Sequence, residues 1–304
     1  MLLTPRLGPC LSLLALIPLL LSASATEPQI LRHAFKETPS RPLELICYLP
    51  PHWKSADRRP AVVFFFGGGF WTWNVEQFAQ QADYFARRGL VTILADYRTG
   101  EKDGAKPPMA FEDARSAFRW VRQNADQLGV DPKRIAASGG SAGGLLSAAL
   151  LIVDGLDAPG EDRNVSVRPD ALLLYNPALG TQVNERTIQR FGDESTWRKT
   201  AAALHADGTT PPTLLLFGSA DSLLNSGKAW AEKLRTLGVR VDVKIAAGVG
   251  HGFFNFSPHL AASTRDVDEF LQSLNWLAPE PVVLLPVGEA KLSPSADNPE
   301  RGQP

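Results

Sequence analysis

Residues 139–144 read Gly-Gly-Ser-Ala-Gly-Gly, so that Ser141 lies in the pattern Gly-x-Ser-x-Gly. A short strand is predicted to end at Ser138 and a helix rich in Leu and Ala to follow, which is the strand–turn–helix context of a nucleophilic serine. Small neighbours let the strand and the helix approach closely and expose the serine Oγ at the carboxyl end of a sheet. A phosphate-binding turn would carry the lysine of Gly-x-x-x-x-Gly-Lys-Ser/Thr, which this turn lacks. The pattern therefore favours a nucleophile over a phosphate site.

A serine is a weak nucleophile without a base, so a histidine is expected later in the chain. His251 lies in residues 248–252, Gly-Val-Gly-His-Gly, directly after a predicted strand. A flexible loop at this point can carry the imidazole over the sheet toward Ser141, and His251 is therefore the predicted base. The other histidines precede the predicted sheet core, lie in a polar insertion or begin a helix: His33, His52, His205 and His259.

The acid that orients the base is expected between these two residues, in the order Ser, Asp or Glu, His. Asp221 fits best, because it follows the carboxyl end of the predicted strand 213–217. It would fix the imidazole tautomer and stabilise the imidazolium without taking the proton itself. Asp193 and Asp207 are the alternatives, but both lie in the polar insertion and not at a strand end.

Three glycines, residues 67–69, follow the apolar run 61–66. Backbone N–H groups approach a substrate oxyanion closely where no Cβ intervenes, and one such donor is typically worth about 2.7–4 kcal/mol of transition-state stabilisation. Together with the N–H of Ala142, this turn can form an oxyanion hole. A triple glycine alone indicates only a loop, but its combination with the serine turn further along the chain is specific.

Strand and helix patterns alternate from about residue 43 to residue 275, which predicts an α/β architecture around a mostly parallel sheet. In 239–245 apolar and charged residues alternate, which predicts a strand solvated on one face. Helices are predicted over 76–88, 109–124 and 260–274. Three more helices are predicted: one directly after the serine turn, one around Trp230, and one in a polar insertion at about 176–210. The predicted strands are 43–49, 61–66, 90–96, 135–138, 171–175, 213–217 and 239–245.

The 304 residues are 44% hydrophobic and 21% charged, with a formal net charge of -1. These values are typical of a folded globular protein, and the near-neutral charge without a Lys/Arg cluster argues against a nucleic-acid partner. Cys47 lies in a predicted buried strand, where a lone cysteine usually acts as a small hydrophobic residue. Neither a metal nor a cofactor is expected.

The first 25 residues have the form of a secretory signal peptide. Arg6 provides a positive charge, residues 11–21 form an apolar stretch, and Ala23-Ser24-Ala25 has the small-x-small form of a cleavage site. The apolar run is shorter than the ~20 residues of a membrane span, and an uncleaved N-terminal anchor is the alternative. We expect a secreted or periplasmic protein without a stable membrane anchor after cleavage. We also expect one catalytic domain over 27–277, followed by a Pro-rich, extended or disordered tail over 278–304.

Four features over residues 61–254 match one known group: the serine turn, Asp96-Tyr97-Arg98, the loop before Asp221, and the triplet of residues 251–253. They resemble the hormone-sensitive-lipase-like and bacterial acetyl-esterase branch of the α/β-hydrolases. The resemblance implies an α/β-hydrolase fold with the insertion at 176–210 as a small cap. It also implies that Ser141, Asp221 and His251 are the catalytic triad, and that the N–H groups of Gly68, Gly69 and Ala142 form the oxyanion hole.

The family usually has His-Gly-Gly-Gly at the oxyanion turn, and Phe66 replaces that histidine here. Because the donors are backbone groups, the oxyanion hole is expected to persist without the hydrogen bonds of that side chain. Phe70, Trp71 and Trp73 follow the glycines and are candidates for the walls of the substrate site. Packing of their loop onto the body of the protein is the alternative.

Together these features predict a serine carboxylesterase for short-chain, acetyl-type esters, since the insertion is too small for a large lid. A small-molecule or carbohydrate ester is the expected substrate, and export suggests ester groups on extracellular polysaccharide.

One alternative is a serine peptidase of the prolyl-oligopeptidase type, which usually carries a further gating domain. The other is a catalytically silent hydrolase-fold binding protein, which would be expected to lose a catalytic residue. The sequence leaves the oligomeric state open.

Overall fold

The computed structural model describes residues 27–152, 155–180 and 184–279. The predicted signal peptide at 1–25 and nearly all of the predicted tail lie outside the described residues. The described chain forms an eight-stranded sheet with helices packed against it. The strands are β1 (Gln29–Lys36), β2 (Leu43–Leu49), β3 (Arg59–Phe65), β4 (Val91–Ala95), β5 (Val130–Gly140), β6 (Ala171–Tyr175), β7 (Thr213–Gly218) and β8 (Val241–Ala246).

The strands lie in the order β1-β2-β4-β3-β5-β6-β7-β8. β2 pairs antiparallel with both β1 and β4, whereas β4, β3, β5, β6, β7 and β8 are parallel to one another. The predicted mostly parallel α/β sheet is therefore confirmed. Because parallel strands share a direction, their carboxyl ends meet at one end of the sheet, where such folds bind their ligands.

The helices alternate with the strands along most of the chain. Within the described ranges, none of them combines the length and the apolar character that crossing a membrane requires. They are α1 (Ala79–Arg87), α2 (Gly100–Asp103), α3 (Pro107–Gln123), α4 (Ala142–Ala149), α5 (Glu185–Phe191), α6 (Glu194–Thr200), α7 (Ala202–His205), α8 (Leu224–Thr236) and α9 (His259–Ser273).

The middle of the sheet is buried on both faces. Every residue of β4, β6 and β7 is buried, as expected for continuous apolar runs covered by helices on each side.

Cys47 lies in β2, and burial raises the pKa of its thiol to about 12. The thiol therefore stays protonated and packs as a small apolar side chain.

The two edge strands differ from the prediction. β1 is absent from the predicted strands because its residues show no buried apolar face, and it forms through backbone pairing with β2. The apolar side of β8 is only partly covered, since Val241 is buried but Ile245 is exposed. An edge strand has a neighbour on one side only, so backbone pairing decides its position more than side-chain burial does.

The described part of the insertion after β6 holds three short helices, α5 to α7, where one is predicted. Asn184 and Asp193 are the reason for the division, because each begins a new helix as an N-cap. The side chain of Asn184 accepts the N–H of Thr187, and that of Asp193 accepts the N–H of Thr196.

A buried ion pair joins the end of α1 to α9. Arg88 donates to Asp268 through Nε at 2.6 Å and Nη2 at 3.1 Å, and the Tyr84 hydroxyl donates to the same carboxylate at 2.8 Å. The two charged side chains are only 1% and 4% exposed. Burial raises the pKa of the Asp268 carboxyl, but hydrogen bonds from Arg88, Gln272 and Tyr84 outweigh it and hold the pKa below its usual value.

We expect Asp268→Asn to lower the free energy of unfolding by about 3–5 kcal/mol at neutral pH, because the buried Arg88 would lose its ion pair with the Asp268 carboxylate. Since the pKa of Asp268 is lowered in the folded protein, its stabilisation is present above the pKa of the unfolded carboxyl. That stabilisation is lost as the pH falls through the folded value. The difference between wild type and variant should therefore shrink on acidification, which urea unfolding at a series of pH values measures.

Asp126→Asn is the matched control. Asp126 pairs with Arg58 at 2.7 Å, but the two side chains are 89% and 62% exposed. Loss of such a surface pair is expected to cost about 1 kcal/mol or less. Equal losses in the two variants, or a loss at Asp268 that persists at low pH, would contradict this account.

Candidate active site

Ser141 occupies a sharp turn between β5 and α4. Its φ of 53° and ψ of -113° lie in a region that residues other than glycine rarely adopt. Its N–H donates to the carbonyl of Tyr175 at 3.0 Å, and its carbonyl accepts the N–H groups of Leu145 and Ala178 at 3.1 and 3.0 Å. These hydrogen bonds hold the turn and place the side chain at the carboxyl end of the parallel strands.

Glycines around Ser141 allow a close approach of backbone that no other residue permits. A Cβ on Gly143 would lie 2.0 Å from the carbonyl oxygen of Phe65, at the end of β3. A Cβ on Gly140 would lie 2.5 Å from the ring of Phe254. Residues 139–144, which we term the elbow, therefore bring the serine against the oxyanion turn (residues 67–69) on one side. On the other side lies Phe254, just after the loop of residues 248–252, which we term the histidine loop.

The structure brings together the three residues predicted to act as nucleophile, acid and base. Each follows the carboxyl end of a parallel strand: Ser141 follows β5, Asp221 follows β7 and His251 follows β8. His251 Nε2 lies 2.9 Å from Ser141 Oγ, and His251 Nδ1 lies 2.9 Å from Asp221 Oδ2.

The hydrogen bonds of Asp221 determine the tautomer of His251. Its carboxylate is fully buried, and its other oxygen accepts the N–H of Leu223 at 2.8 Å. Because a carboxylate only accepts hydrogen bonds, Nδ1 carries the imidazole hydrogen, and Nε2 is left to accept the hydroxyl proton of Ser141. This arrangement is suited to general-base activation of Ser141.

The alternative acids lie away from Ser141 and have local structural roles. A backbone hydrogen bond from Thr196, which Asp193 receives as the N-cap of α6, lowers the pKa of Asp193. Hydrogen bonds from Thr209 likewise lower the pKa of Asp207. Within the described parts of the chain, no group of three His, Cys, Asp or Glu side chains is arranged to hold a metal ion.

Side chains from outside the motif hold the oxyanion turn, residues 67–69. The ring of Phe66 stacks on Tyr97 with 3.9 Å between centroids, and the Tyr97 hydroxyl donates to the carbonyl of Phe66 at 2.7 Å. The N–H of Gly67 donates to Gln77 Oε1 at 2.6 Å. These contacts hold the turn at the position where the family usually has a histidine. Gln77 belongs to no motif, and the sequence analysis does not identify it.

The three predicted oxyanion-hole donors are backbone N–H groups of the oxyanion turn and of the first residue of α4. Among the described residues, the N–H groups of Gly68 and Gly69 have no protein acceptor. Ala142 is the first residue of α4, so that its N–H has no acceptor within the helix. The groups predicted to form the oxyanion hole are therefore available to a substrate oxygen.

A cavity of about 310 Å³ opens beside Ser141. Phe70, one of the three predicted aromatic residues, lies in its wall and packs on Phe191 of α5 with 5.9 Å between ring centroids. Leu145 of α4 and Trp197 of α6 also belong to the apolar part of the lining. The insertion thus covers the cavity as a small cap.

The structure does not bring Trp71 and Trp73 to this cavity. Trp71 is 63% exposed, and its ring lies against the backbone of Gly100. Trp73 donates its indole N–H to Asp96 at 2.8 Å, and Lys102 Nζ lies 3.2 Å from the centre of its ring. Their contacts are those of the alternative interpretation, in which the loop packs onto the body of the protein.

Two polar residues at the site are absent from the sequence-based candidates. Arg190, on α5, donates to the carbonyl of Gly69 and so connects the cap to the oxyanion turn. Asn176, directly after β6, contacts both His251 and Gly252. Neither residue belongs to a motif, and the only sequence signal for Asn176 is its position after the predicted strand 171–175.

We expect Gly143→Ala to lower the free energy of unfolding by about 3 kcal/mol or more and to abolish activity, because backbone oxygens cannot move away from the added Cβ. Gly250→Ala is the matched control, since a Cβ at Gly250 meets no atom within 4 Å although the residue precedes His251. Thermal unfolding and ester hydrolysis measure both variants. A stable, active Gly143→Ala protein would show that the close approach is not required.

Comparison with known proteins identifies similar folds and sequences. A family model described as alpha/beta hydrolase fold matches residues 62–255. The apo structure of esterase 2 from Thermogutta terrifontis superimposes with a TM-score of 0.79 and 38% sequence identity, covering 84% of this chain and 98% of that chain. Further structures of that esterase have butyrate or propionate bound.

Curated relatives include Lipase 2 from Moraxella sp. (strain TA144), which is 27% identical over 66% of this chain and 56% of its own length. Carboxylesterase NlhH from Mycobacterium tuberculosis is 28% identical over 75% of this chain and 76% of its own length. The matched region thus spans little more than half of Lipase 2 and about three quarters of NlhH. With its sheet topology and the family match over more than half of its length, the chain belongs to the alpha/beta hydrolase fold family, in the hormone-sensitive-lipase-like carboxylesterase group.

Proposed function

We propose that this carboxylesterase uses a serine mechanism on esters with short acyl groups. The observation that carries the proposal is the unbroken series of contacts from Ser141 Oγ through His251 to Asp221, with 2.9 Å at each step. A hydroxyl in contact with an imidazole that is itself oriented by a buried carboxylate is the arrangement of an activated serine.

The first half of the reaction forms an acyl-enzyme. Ser141 Oγ bonds to the ester carbonyl carbon while its proton passes to His251 Nε2, and Asp221 stabilises the resulting imidazolium. The carbonyl oxygen becomes negative and is bound by the N–H groups of the oxyanion turn and Ala142. The intermediate then collapses, and the alcohol leaves with the proton from Nε2.

The second half releases the acid. Water attacks the acyl carbon, its proton passes to Nε2, and the bond from the acyl carbon to Ser141 Oγ breaks. The same proton then returns to Oγ, so that the enzyme is restored and the net reaction is ester plus water to acid plus alcohol.

The size of the cavity supports a preference for short acyl groups. Its volume is about 310 Å³, and the rings of Phe70, Phe191 and Trp197 bound its apolar part. The butyrate- and propionate-bound structures of the Thermogutta esterase support short acyl groups, since they show that this similar protein binds acids of that length.

We expect p-nitrophenyl acetate and butyrate to be hydrolysed with kcat/KM values at least about tenfold above that of the octanoate, because the rings of Phe70, Phe191 and Trp197 in the cavity wall obstruct a longer chain. Ser141→Ala should lower kcat at least about 10⁴-fold and abolish labelling by a fluorophosphonate. An aminoacyl anilide should not be cleaved. Its cleavage would indicate a peptidase, and the absence of both ester hydrolysis and Ser141 labelling would indicate a silent binding protein.

Phe191→Ala tests whether the cavity wall sets the acyl length. The variant enlarges the cavity and should raise the octanoate-to-acetate ratio of kcat/KM by about tenfold. Leu204→Ala is the matched control, since Leu204 lies on α7 of the same cap, is half exposed and is not in the cavity wall. An unchanged ratio in Phe191→Ala would remove the wall as the determinant.

We further propose that the enzyme is exported and acts on ester groups of extracellular carbohydrate, on the basis of the signal-like residues 1–25. Full-length chain produced in a bacterial host with a periplasm should be recovered there or in the medium with Thr26 as its first residue. It should release acetate from acetylated xylan faster than Ser141→Ala does. A cytosolic product that retains Met1 would contradict export, and equal acetate release would contradict the carbohydrate substrate.

A further inference from the structure

Asn176 is the first residue after β6, the strand that pairs with β5. Its N–H donates to the carbonyl of Leu216 at 2.7 Å, which extends the pairing of β6 with β7 by one residue. Its side chain is fully buried, and its φ of 36° lies in the left-handed region that asparagine tolerates better than most residues. A buried amide on a strained backbone is stable only where its polar atoms are satisfied, so its partners are informative.

Both ends of this amide contact the histidine loop. Asn176 Oδ1 accepts the N–H of Gly252 at 3.1 Å, and Asn176 Nδ2 lies 3.4 Å from His251 Nε2. The orientation of the amide follows from the first contact, because only an oxygen can accept the Gly252 N–H. The nitrogen is therefore the atom that faces the imidazole.

The amide nitrogen faces the atom of His251 that takes the proton. In the resting imidazole Nε2 has a lone pair, which accepts from Ser141 Oγ at 2.9 Å and faces the Asn176 N–H group. Once Nε2 is protonated, its N–H would face another donor, and that contact becomes repulsive. Among the described residues, Asp221 is the charged group that contacts the ring, while Ser141 and Asn176 are neutral.

We propose that Asn176 is a positioning residue for His251, a role that rests on the proposed serine mechanism. Its oxygen holds the loop through Gly252, and its nitrogen favours the unprotonated imidazole that can take the proton of Ser141. Because an N–H donor facing Nε2 disfavours its protonated form, the proton that Nε2 takes from Ser141 is passed on readily to the leaving alcohol.

Asn176→Asp tests the role with little change in shape. One carboxylate oxygen can still accept the Gly252 N–H, and the other would face Nε2 and attract its proton. An opposite charge at this distance stabilises the protonated ring, so the acid limb of the kcat/KM pH profile should move upward by about one pH unit or more. Activity should then fall at least about tenfold more at pH 6 than at pH 9, relative to wild type.

Asn255, three residues after Gly252, offers a matched control. Its Nδ2 donates to the carbonyl of Gly252 at 3.0 Å, so that Asn255 and Asn176 hold opposite sides of one residue. Asn255→Asp adds the same charge close to the loop, but the side chain of Asn255 bonds to the Gly252 carbonyl and not to the imidazole. The acid limb of this variant should move by less than half as much as that of Asn176→Asp.

Asn176→Ala and Asn255→Ala keep the test decisive if the buried aspartate prevents folding. Asn176→Ala should lower kcat about tenfold with KM unchanged within twofold, and Asn255→Ala should have a clearly smaller effect on kcat. Equal acid limbs in the two aspartate variants, or equal kcat in the two alanine variants, would overturn the role of Asn176. If the wild-type protein is not labelled by a fluorophosphonate and does not hydrolyse esters, the serine mechanism itself is overturned. Failure of the proposed role of Asn176 is therefore distinguishable from failure of the proposed mechanism.

Discussion

The elbow is the constraint on which the rest of the site depends, because two segments from distant parts of the chain approach its glycines more closely than a Cβ would allow. Gly143 faces the carbonyl of Phe65, where the oxyanion turn begins, and Gly140 faces the ring of Phe254, which follows the histidine loop. This contact brings the backbone donors and the imidazole to the same side chain, Ser141. A single methyl group at Gly143 would push the oxyanion turn away from the serine.

The strain at Ser141 is of the order of 1–3 kcal/mol and persists because the surrounding structure holds it. Side-chain hydrogen bonds hold the neighbouring loops in the same way. Gln77 satisfies an N–H of the oxyanion turn, Tyr97 satisfies the carbonyl before it, and Asn176 satisfies an N–H of the histidine loop. An unpartnered backbone group in these buried positions would cost about 1–3 kcal/mol, so each contact keeps its loop in one geometry before substrate binds.

The cap contributes to the cavity and to the oxyanion turn through adjacent residues of α5. Phe191 forms part of the cavity wall, and Arg190 contacts the carbonyl of Gly69. A shift of this helix would therefore change the space for the acyl group and the orientation of the turn together. This explains how a cap of three short helices can influence both the binding and the chemistry of a substrate.

The sequence by itself determined the parallel sheet, the elbow and the positions of Ser141, Asp221 and His251. Apolar runs, small residues in a turn and the order of strand ends are local patterns, and parallel strands bring their ends together. Local patterns carry no information on β1 or on the division of the insertion into three helices, which depend on backbone pairing and helix caps. Only the tertiary structure decided that Trp71 and Trp73 lie away from the cavity and that Gln77, Arg190 and Asn176 belong to the site. Arg190 and Asn176 act through hydrogen bonds to residues far apart in the chain, and such contacts exist only once the sheet and the elbow have brought those residues together. Gln77 contacts a nearer residue, Gly67, but only because the loop between them folds back.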